Sequence, residues 1–425
     1  MEMFVIEGGH RLTGTVAISG SKNASLPILI SSLLTDKSSV LKNVPDLADT
    51  RFLIDLMSSF GAEISLLDNQ ATITLKNLKS TMAHYDVVRK MRASILVLAP
   101  LLARQGHAVV SLPGGCAIGT RPVDIHLDGL KALGAHIDVS EGYIHASLPR
   151  GHFIGAEFEL PLPSVGASEN LIMAAVMAQG CTVLRKVARE PEVVELCQAL
   201  NNAGARIRGV GSAVLEIEGV SSLGGLCHHI KPDRIEAGTF IALAAATKSE
   251  IILKNVDADD LANVMERFSA AGISFDVVPS ADLLSDVVVK AQHRPRAVDI
   301  ETAAYPGFPT DMQAQFMAVM AVADGTSTIY ERLFENRMMH VPELRRMGAH
   351  IEVKGGVATV HGQKALSGAP VMATDLRASA SLVIAALTAQ GRSEIRRVYH
   401  IDRGYECLEK KLLGLGAHIE RCQQS

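Results

Sequence analysis

The sequence predicts an α/β protein with two globular domains, each built from three copies of one β-α-β-α-β-β unit. Two observations support this fold class. A helix followed by a glycine and an alternating strand recurs six times along the 425 residues, and each copy also contains an earlier helix that is apolar on nearly every face. Such self-similarity at a near-constant period is typical of repeat architectures, in which neighbouring copies bury a common core.

The first repeated element is a helix that ends in the pattern Gly-Ala-x-Ile or a close variant of it. A glycine directly after a helix adopts the left-handed conformation that ends it. The alternating residues that follow, usually with a turn and a second alternating run, predict a β-hairpin. The copies recur at intervals of about 70 residues. Their glycines are Gly61, Gly134, Gly204, Gly272, Gly348 and Gly416.

The second repeated element is a mostly apolar helix that leads through a polar or glycine turn into a strand. Alanine, leucine, isoleucine and methionine cover these helices nearly all round, which predicts that they are buried, whereas the helices before the repeated glycines are amphipathic and should face water. Three units could therefore surround a bundle of buried helices. The predicted buried helices are 24–34, 92–103, 168–178, 235–246, 310–323 and 377–389.

Composition excludes several classes of protein. Lys and Arg number 41 against 45 Asp and Glu, which argues against broad nucleic-acid binding. The longest apolar run, 95–103, is far shorter than the roughly 20 residues that a membrane span requires. No pair of cysteines forms a C-x-x-C motif, so we expect neither a metal site nor a disulfide framework, and no cofactor. The N-terminus does not resemble a signal peptide, which predicts a cytoplasmic protein.

Two segments of the first half carry candidate functional residues. The glycine-rich loop 111–124 contains Cys116 with Arg121 five residues later, and a thiol near a cation has the features of a reactive cysteine. The alternative is a tight turn with an incidental cysteine. Lys22 and Asn23 precede a buried helix, whose N-terminus favours anions. The alternative there is an ordinary polar start of a helix.

The second half repeats this arrangement. Asp311 lies at the start of a buried helix, and Arg403 lies in a polar loop. Considered singly, Asp311 is explained as a first-turn carboxylate that faces the helix dipole, and Arg403 as a solvated arginine. Considered together, the charged residues would converge on one face of each domain, and two such faces opposed across a hinge would form a cationic cleft for a polyanionic small substrate. Arginine also occurs close to a carboxylate in three further motifs. The first contains Asp233, Arg234 and Glu236, the second contains Arg337, and the third contains Asp375 and Arg377.

Ten motifs, in order along essentially the whole chain, resemble those of the enolpyruvyl transferases that use UDP-N-acetylglucosamine, a branch of the EPSP synthase superfamily. The resemblance implies an inside-out α/β barrel in each domain. It also implies that residues 1–21 and 232–425 form one discontinuous domain, and that 22–231 form the other, with Cys116 in a lid loop. The motifs are SKNASLP, MRASILVLAP, SLPGGCAIGTRPVD, SVGASEN, AREPE, PDRIEAGTF, FPTDMQAQ, FENR, MATDLRASAS and YHIDRGYE.

The resemblance implies transfer of the enolpyruvyl group of phosphoenolpyruvate to the 3-hydroxyl of UDP-N-acetylglucosamine, with release of phosphate. This is the first committed step of peptidoglycan precursor synthesis. Cys116 would donate a proton to C3 and could form a covalent adduct with phosphoenolpyruvate, and the antibiotic fosfomycin should alkylate it. Asp311 would accept the proton of the sugar hydroxyl. Lys22 and Arg403 complete the implied catalytic set, and with Arg121 and Arg337 they would bind the phosphate and carboxylate.

The same resemblance implies the remaining substrate contacts. One departure concerns the nucleotide end: many members carry lysine two residues before the serine of SVGA, where this chain has Leu162, which puts one charge contact in doubt. The two substrates are small molecules, and the sequence indicates no membrane insertion. The implied contacts are Asn23, Arg92, Arg121, Pro122, Val123, Asp124, Ile125, Ser164, Val165, Leu333 and Asp375.

Three other interpretations are compatible with parts of the sequence. The chain could be an enolpyruvyl transferase for another acceptor, although the cysteine loop and the RPVD segment count against it. It could be a catalytically silent paralogue that binds the sugar nucleotide, or a repeat scaffold for protein partners. Retention of Cys116, Asp311, Lys22 and Arg403 disfavours both, because a binding module would not need all four.

Overall fold

The computed structural model describes residues 2–113, 123–280 and 284–423. Within these ranges the strands form six sheets, each with four strands. In every sheet an outer strand pairs in parallel with its neighbour, and the other pairings are antiparallel. In four sheets the two parallel strands are joined through a buried helix, as a β-α-β-α-β-β unit predicts, and the hairpins supply antiparallel pairs. In the other two sheets the parallel strands come from distant parts of the chain.

The sheets of the first half lie between residues 39 and 229, and those of the second half use both ends of the chain. The strands of the first sheet, in spatial order, are Cys227–His229, Ser39–Lys42, Gln70–Thr74 and Glu63–Leu67. Those of the second sheet are Met82–Ala83, His107–Ser111, Tyr143–Ser147 and His136–Ser140. Those of the third sheet are Glu157–Glu159, Cys181–Arg185, Val214–Glu218 and Arg206–Arg208. The fourth sheet consists of Thr13–Ala17, Glu250–Val256, Ser285–Lys290 and Ser274–Pro279. The fifth consists of Ile300–Glu301, Thr326–Tyr330, Val357–His361 and His350–Lys354. The sixth consists of Pro370–Met372, Arg392–Arg396, Glu2–Glu7 and His418–Gln423.

The N-terminal strand Glu2–Glu7 lies between the last two long strands of the chain. It pairs antiparallel with both Arg392–Arg396 and His418–Gln423, and Phe4 and Ile6 are fully buried in the second-half core. Sequence spacing alone left the partner of this strand open. The pairing supplies the fourth strand of the last sheet from the opposite end of the chain.

The helices fall into the two predicted classes. In the buried helix Arg234–Thr247, thirteen of the fourteen residues are buried, whereas Ala262–Ala270 buries only Val264 and Phe268. The buried class comprises Lys22–Ser31, Leu98–Gln105, Val165–Val176, Arg234–Thr247, Gln313–Met320 and Leu376–Thr388. The amphipathic class comprises Ala48–Ser59, Asp124–Ala132, Pro191–Asn202, Ala262–Ala270, Val341–Arg346 and Leu408–Gly414, and a single-turn helix spans Tyr85–Val88. The prediction that this class faces water is wrong for Pro191–Asn202, which buries eight of its twelve residues and contacts Lys22–Ser31 and Val165–Val176.

Some predicted buried helices are divided between an α-helical part and a 3-10 part. Residues Arg92–Val97 and Thr310–Met312 form 3-10 turns before their α-helices, and Ser32–Leu34 forms one after the first helix. In the second helix Pro100 accounts for the division, because proline cannot donate to the carbonyl four residues earlier and is best accommodated in the first turn of an α-helix. A further 3-10 segment spans Val398–Arg403.

By compactness the chain divides into two units, each with its own hydrophobic core. Among the described residues, 2–19 and 232–423 belong to one unit, and 20–113 and 123–231 to the other. In the first, the helices Arg234–Thr247, Gln313–Met320 and Leu376–Thr388 contact one another. These helices are rich in alanine, whose small side chain lets neighbouring helices pack closely. None of the helices in the described ranges is long and apolar enough to cross a membrane.

The six repeated glycines all have positive φ, as the helix-ending motif requires. Gly348 has φ +89°, and a Cβ added there would meet nothing within 4 Å beyond its chain neighbours, so replacing it tests backbone strain alone. Gly348→Ala should lower the free energy of unfolding by about 1 kcal/mol, measured by urea denaturation followed by circular dichroism.

Gly414 provides the matched control. It is the last residue of a helix, and a Cβ there would also meet nothing within 4 Å, but its φ is not positive. Gly414→Ala should leave stability unchanged or raise it by about 0.5 kcal/mol, because alanine favours helix over glycine. Equal losses in the two variants would contradict the proposed role of the left-handed conformation.

Candidate active site

Asp311 lies at the centre of a cluster of buried charges in the second-half unit. It sits in the 3-10 turn that begins a buried helix. Its Oδ1 accepts a hydrogen bond from Nη2 of Arg337 at 2.6 Å, and its Oδ2 accepts from Nη2 of Arg377 at 3.1 Å. The arginine side chains are 7% and 4% exposed, whereas that of Asp311 is 25% exposed. One accessible carboxylate is therefore bound by two arginines that are almost completely buried.

These arginines determine the protonation state of Asp311. Burial by itself would raise the pKa of the carboxyl, but the charges of Arg337, Arg377 and Arg234, with the hydrogen bond from Arg337, outweigh burial and hold the pKa well below its ordinary value. Conversely, burial would lower the pKa of Arg377, and the charge of Asp311 outweighs it and raises that pKa. At neutral pH the cluster consists of an ionised carboxylate and cationic guanidinium groups.

Tyr405 fixes the position of Arg377. Its hydroxyl accepts a hydrogen bond from Nη1 of Arg377 at 3.4 Å and lies 2.9 Å from Oγ1 of Thr239. Nε2 of Gln315 donates to the same hydroxyl at 3.3 Å and to the backbone carbonyl of Asp311 at 2.9 Å. Tyr405 is among the largest fully buried side chains, and its contacts join the three buried helices of this unit to one guanidinium.

Glu331 fixes the position of Arg337 through Thr310. Nη1 of Arg337 donates to Oγ1 of Thr310 at 3.0 Å, and this hydroxyl donates to Oε2 of Glu331 at 2.8 Å. The other carboxylate oxygen of Glu331 accepts from the backbone N–H groups of Leu333 and Phe334 at 2.9 and 3.2 Å. Glu331 thus holds the backbone of Leu333, one of the predicted substrate contacts, in a fixed relation to Arg337.

The other predicted residues of this unit lie at helix ends or nearby turns. Asp375 caps the helix Leu376–Thr388, since its Oδ1 accepts from the N–H groups of Arg377 and Ala378 at 2.9 and 3.0 Å. Arg403 ends the 3-10 segment Val398–Arg403 and is half-buried. Burial, followed by the charge of Arg403, lowers the pKa of His400. Asp375 and Arg403 thus add one negative and one positive charge to this end of the unit.

In the first-half unit, Lys22 begins a buried helix and is itself buried. Its Nζ lies 2.9 Å from Oδ2 of Asp49, and the two side chains are 11% and 6% exposed. Ser21 caps the helix by accepting from the N–H of Ala24 at 3.3 Å. Asn23, next along the helix, is half-buried. A cation fixed at a helix N-terminus has the chemistry that binds a phosphate or carboxylate group.

A second cluster in this unit surrounds His126. Burial, followed by the charge of Arg92, lowers the pKa of His126 to about 4, so its ring is neutral at pH 7. Its Nδ1 lies 3.2 Å from Nδ2 of Asn170, and Oδ1 of Asn170 accepts from the N–H of Ala99 at 3.2 Å. Because the Asn170 amide donates, Nδ1 accepts, and the proton of the ring resides on Nε2.

The remaining predicted contacts of this unit lie at the starts of two helices. Ser164 caps the helix Val165–Val176 by accepting from the N–H of Ala167 at 3.4 Å. Leu162, the departure from the family pattern, is 55% exposed. Val123, Asp124 and Ile125 are at least partly exposed at the start of Asp124–Ala132. Cys116, Arg121 and Pro122 lie outside the described residues, so their predicted roles stay predictions.

Sequence reasoning missed three residues with a structural part in these clusters. His126 directly follows Ile125, and Tyr405 lies two residues after Arg403 in the motif YHIDRGYE, so closeness to predicted residues was the signal that could have found them. Glu331 follows a strand and gave no signal, because an isolated glutamate after a strand is ordinarily solvated. In the structure it is buried and accepts at least four hydrogen bonds.

Comparison with known proteins identifies the family. Residues 6–412 match the family model described as EPSP synthase (3-phosphoshikimate 1-carboxyvinyltransferase). The chain belongs to the EPSP synthase family. A relative from Paracoccus denitrificans (strain Pd 1222), named UDP-N-acetylglucosamine 1-carboxyvinyltransferase, is 50% identical over 100% of this chain and 99% of its own. One of the same name from Dinoroseobacter shibae is 51% identical over the full length of both chains.

Solved structures share the fold. The enolpyruvyl transferase NikO from Streptomyces tendae matches with a TM-score of 0.89 at 24% identity, covering 100% of this chain and 99% of that one. An EPSP synthase from Acinetobacter baumannii matches with a TM-score of 0.78 at 18% identity, covering all of both chains. The predicted two-domain enolpyruvyl transferase fold and the predicted enzyme class, a carboxyvinyltransferase, are confirmed.

The depressed pKa of Asp311 makes its ionic cluster a source of pH-dependent stability. The folded-state pKa lies below the ordinary value of 3.8, so the carboxylate stabilises the fold above that pH, and this contribution is lost as the pH falls toward the folded-state pKa. Asp311→Asn leaves two buried arginines without the carboxylate and should lower the free energy of unfolding by about 3 kcal/mol at pH 7. The loss should shrink below pH 3.8.

Asp324→Asn is the matched control, because Asp324 also pairs with an arginine, Arg294, at 3.2 Å but is 77% exposed. It should change stability by less than about 1 kcal/mol. Chemical denaturation at a series of pH values measures both. A difference between wild type and Asp311→Asn that stays constant from pH 7 into the acid range would contradict the depressed pKa.

Proposed function

We propose that this chain transfers the 1-carboxyvinyl group of phosphoenolpyruvate to the 3-hydroxyl of UDP-N-acetylglucosamine, releasing phosphate, as a step of peptidoglycan precursor synthesis. The observation that carries the proposal is that relatives about 50% identical over the full chain bear the name UDP-N-acetylglucosamine 1-carboxyvinyltransferase. The cytoplasmic location predicted from the sequence belongs to the same proposal.

The charges of the site residues suit these substrates. Phosphoenolpyruvate has a phosphate and a carboxylate, and the sugar nucleotide has a diphosphate. We assign Lys22, Arg121, Arg337 and Arg403 to the phosphate and carboxylate of phosphoenolpyruvate. The support is that Lys22 is a buried cation at a helix N-terminus and that Arg337 is held rigidly by Thr310. An arginine that is already fixed loses little entropy when it binds an anion.

The proposed reaction is an addition followed by an elimination. The sugar oxygen attacks C2 of phosphoenolpyruvate while Cys116 delivers a proton to C3, which converts the methylene to a methyl group. Asp311 accepts the proton of the sugar hydroxyl. The thiolate of Cys116 then takes a proton back from that methyl group, the carbon–carbon double bond re-forms, and phosphate leaves with the proton that Asp311 had accepted. The cationic groups stabilise the charge that is redistributed in both steps.

Phosphate release from phosphoenolpyruvate in the presence of UDP-N-acetylglucosamine tests the function. Wild type should turn over, and Cys116→Ala and Asp311→Asn should each lose about 10²-fold or more in kcat, the range typical of general acid–base residues. Cys181→Ala and Asp324→Asn, which change an exposed thiol and an exposed carboxylate, should retain full activity. Circular dichroism establishes that each variant is folded under the assay conditions.

The same assay separates the alternatives. Turnover with 3-phosphoshikimate in place of the sugar nucleotide would identify a transferase for another acceptor. Binding of UDP-N-acetylglucosamine without any phosphate release would identify a silent paralogue. Full activity of Cys116→Ala and Asp311→Asn would contradict the assignment of both residues even if the overall reaction is correct.

Alkylation by fosfomycin tests the reactive thiol. We expect mass spectrometry to place the adduct on Cys116, because the resemblance assigns the reactive thiol to this residue and Arg121 follows it five residues later in the sequence, a pattern typical of reactive cysteines. Cys181, Cys227 and Cys407 are exposed and serve as internal controls for mere accessibility. Cys197 should stay unmodified, since burial raises the pKa of its thiol to about 12. Labelling of the exposed cysteines at the same rate as Cys116 would contradict a specially reactive thiol.

A further inference from the structure

A β-hairpin that contains none of the residues assigned above brings two histidines and a glutamate together. The strands His350–Lys354 and Val357–His361 are antiparallel, and His350 and His361 lie directly opposite each other in the register. Glu352 is two residues from His350 on the same strand, so its side chain projects from the same face. The opposite face of the hairpin is apolar, with Ile351, Ala358 and Val360 buried.

The three side chains are close enough to share one ion. Nε2 of His350 lies 3.7 Å and Nε2 of His361 lies 4.0 Å from Oε1 of Glu352. The ring centroids of the histidines are 4.5 Å apart. One ligand atom from each of the three residues lies within 4.8 Å of the others. Two ligands of a tetrahedral Zn²⁺ at ~2.0 Å lie roughly 3.3 Å apart, so small side-chain rotations would complete the geometry.

A neighbouring strand holds one of the histidines in a suitable orientation. Oγ1 of Thr326 lies 3.1 Å from Nδ1 of His361, and Thr326 is the cross-strand partner of His361 in the register. A hydrogen bond at Nδ1 leaves Nε2 directed toward Glu352 for a metal. Metal-binding histidines ordinarily have such a partner on the other ring nitrogen, which fixes the tautomer and the ring orientation.

We propose that His350, Glu352 and His361 form a binding site for a late first-row divalent cation such as Zn²⁺ or Ni²⁺. Imidazole nitrogen with one carboxylate oxygen suits these ions, whereas Mg²⁺ prefers oxygen ligands alone. Three protein ligands leave a fourth position for water. The sequence predicted no metal site because the cysteines lack metal spacing, but strand pairing joins ligands that are eleven residues apart along the chain.

The site is open to ions from solvent. The exposed fractions of the side chains are 59% for His350, 71% for Glu352 and 36% for His361. The cation would bridge the two strands of a hairpin whose outer member, His350–Lys354, is an edge strand of its sheet. Binding would therefore stabilise this edge of the sheet by mass action, with no part in the transfer reaction.

Titration of the EDTA-treated full chain tests the proposal. Isothermal titration calorimetry with ZnCl₂ and NiCl₂ should show a site with one ion per chain, and His350→Gln and His361→Gln should each weaken it about tenfold or more. Glu352→Gln should weaken it as well. His107→Gln, which changes an exposed histidine outside the hairpin, should leave the binding unchanged. MgCl₂ should not compete.

Nuclear magnetic resonance locates the ion independently of affinity. At substoichiometric NiCl₂ the ring signals of His350 and His361, assigned from the two glutamine variants, should broaden before those of the other histidines. ZnCl₂ should raise the midpoint temperature of thermal unfolding of the wild-type protein. It should raise that of the His350→Gln and His361→Gln variants less. Prior broadening of other histidines, or unchanged affinity in both variants, would overturn the proposal, as would a stoichiometry of half an ion per chain.

Discussion

The charge balance around Asp311 is the constraint on which the second-half unit depends. Two nearly buried arginines bind this carboxylate, and Arg234 adds a third positive charge that lowers its pKa. Burying a guanidinium without a partner costs a large free energy, so the fold of this unit needs the carboxylate of Asp311. Arg234, Arg337 and Arg377 bring three positive charges close to Asp311, and the charge of Asp233 also acts on Arg377.

The repeat explains why such charges gather at one end of the buried helices. Arg234, Asp311 and Arg377 each lie in the first turn of one of three buried helical segments, and those segments contact one another. Each helix start is positive by its own dipole, which accounts for the side-chain caps at Asp233 and Asp375. In the other unit the turn Arg92–Val97 contacts the helices that begin at Lys22 and Val165 in the same way. Three copies of one unit thus place three helix starts together, and substitutions at those starts can build a site without changing the fold.

The sequence was sufficient to predict what depends on local pattern, and insufficient for what depends on distant pairing. The burial of the apolar helices and the glycine at each helix end follow from neighbouring residues, and both predictions agree with the structure. The sequence also placed Asp311 and Arg377 at helix starts. It did not predict that they bind each other across 66 residues, or that Tyr405 and Glu331 hold the arginines in place. Those contacts arise only when several helices pack, and single residues of ordinary type carry no sign of them.

The low pKa of Asp311 constrains how it can act as the proposed proton acceptor. A carboxylate whose pKa is held well below its ordinary value is ionised at neutral pH, which is the state that a proton acceptor requires. The low pKa also means that it attracts a proton weakly, whereas general bases work best when their pKa is close to the ambient pH. Arg337 contributes to that low pKa through both its charge and its hydrogen bond. If Arg337 binds the carboxylate of phosphoenolpyruvate, as proposed, the added negative charge offsets its effect, and the pKa of Asp311 rises only after substrate is bound. The same arginine would then stabilise the resting site and make the basicity of Asp311 depend on the presence of the molecule with which the sugar must react.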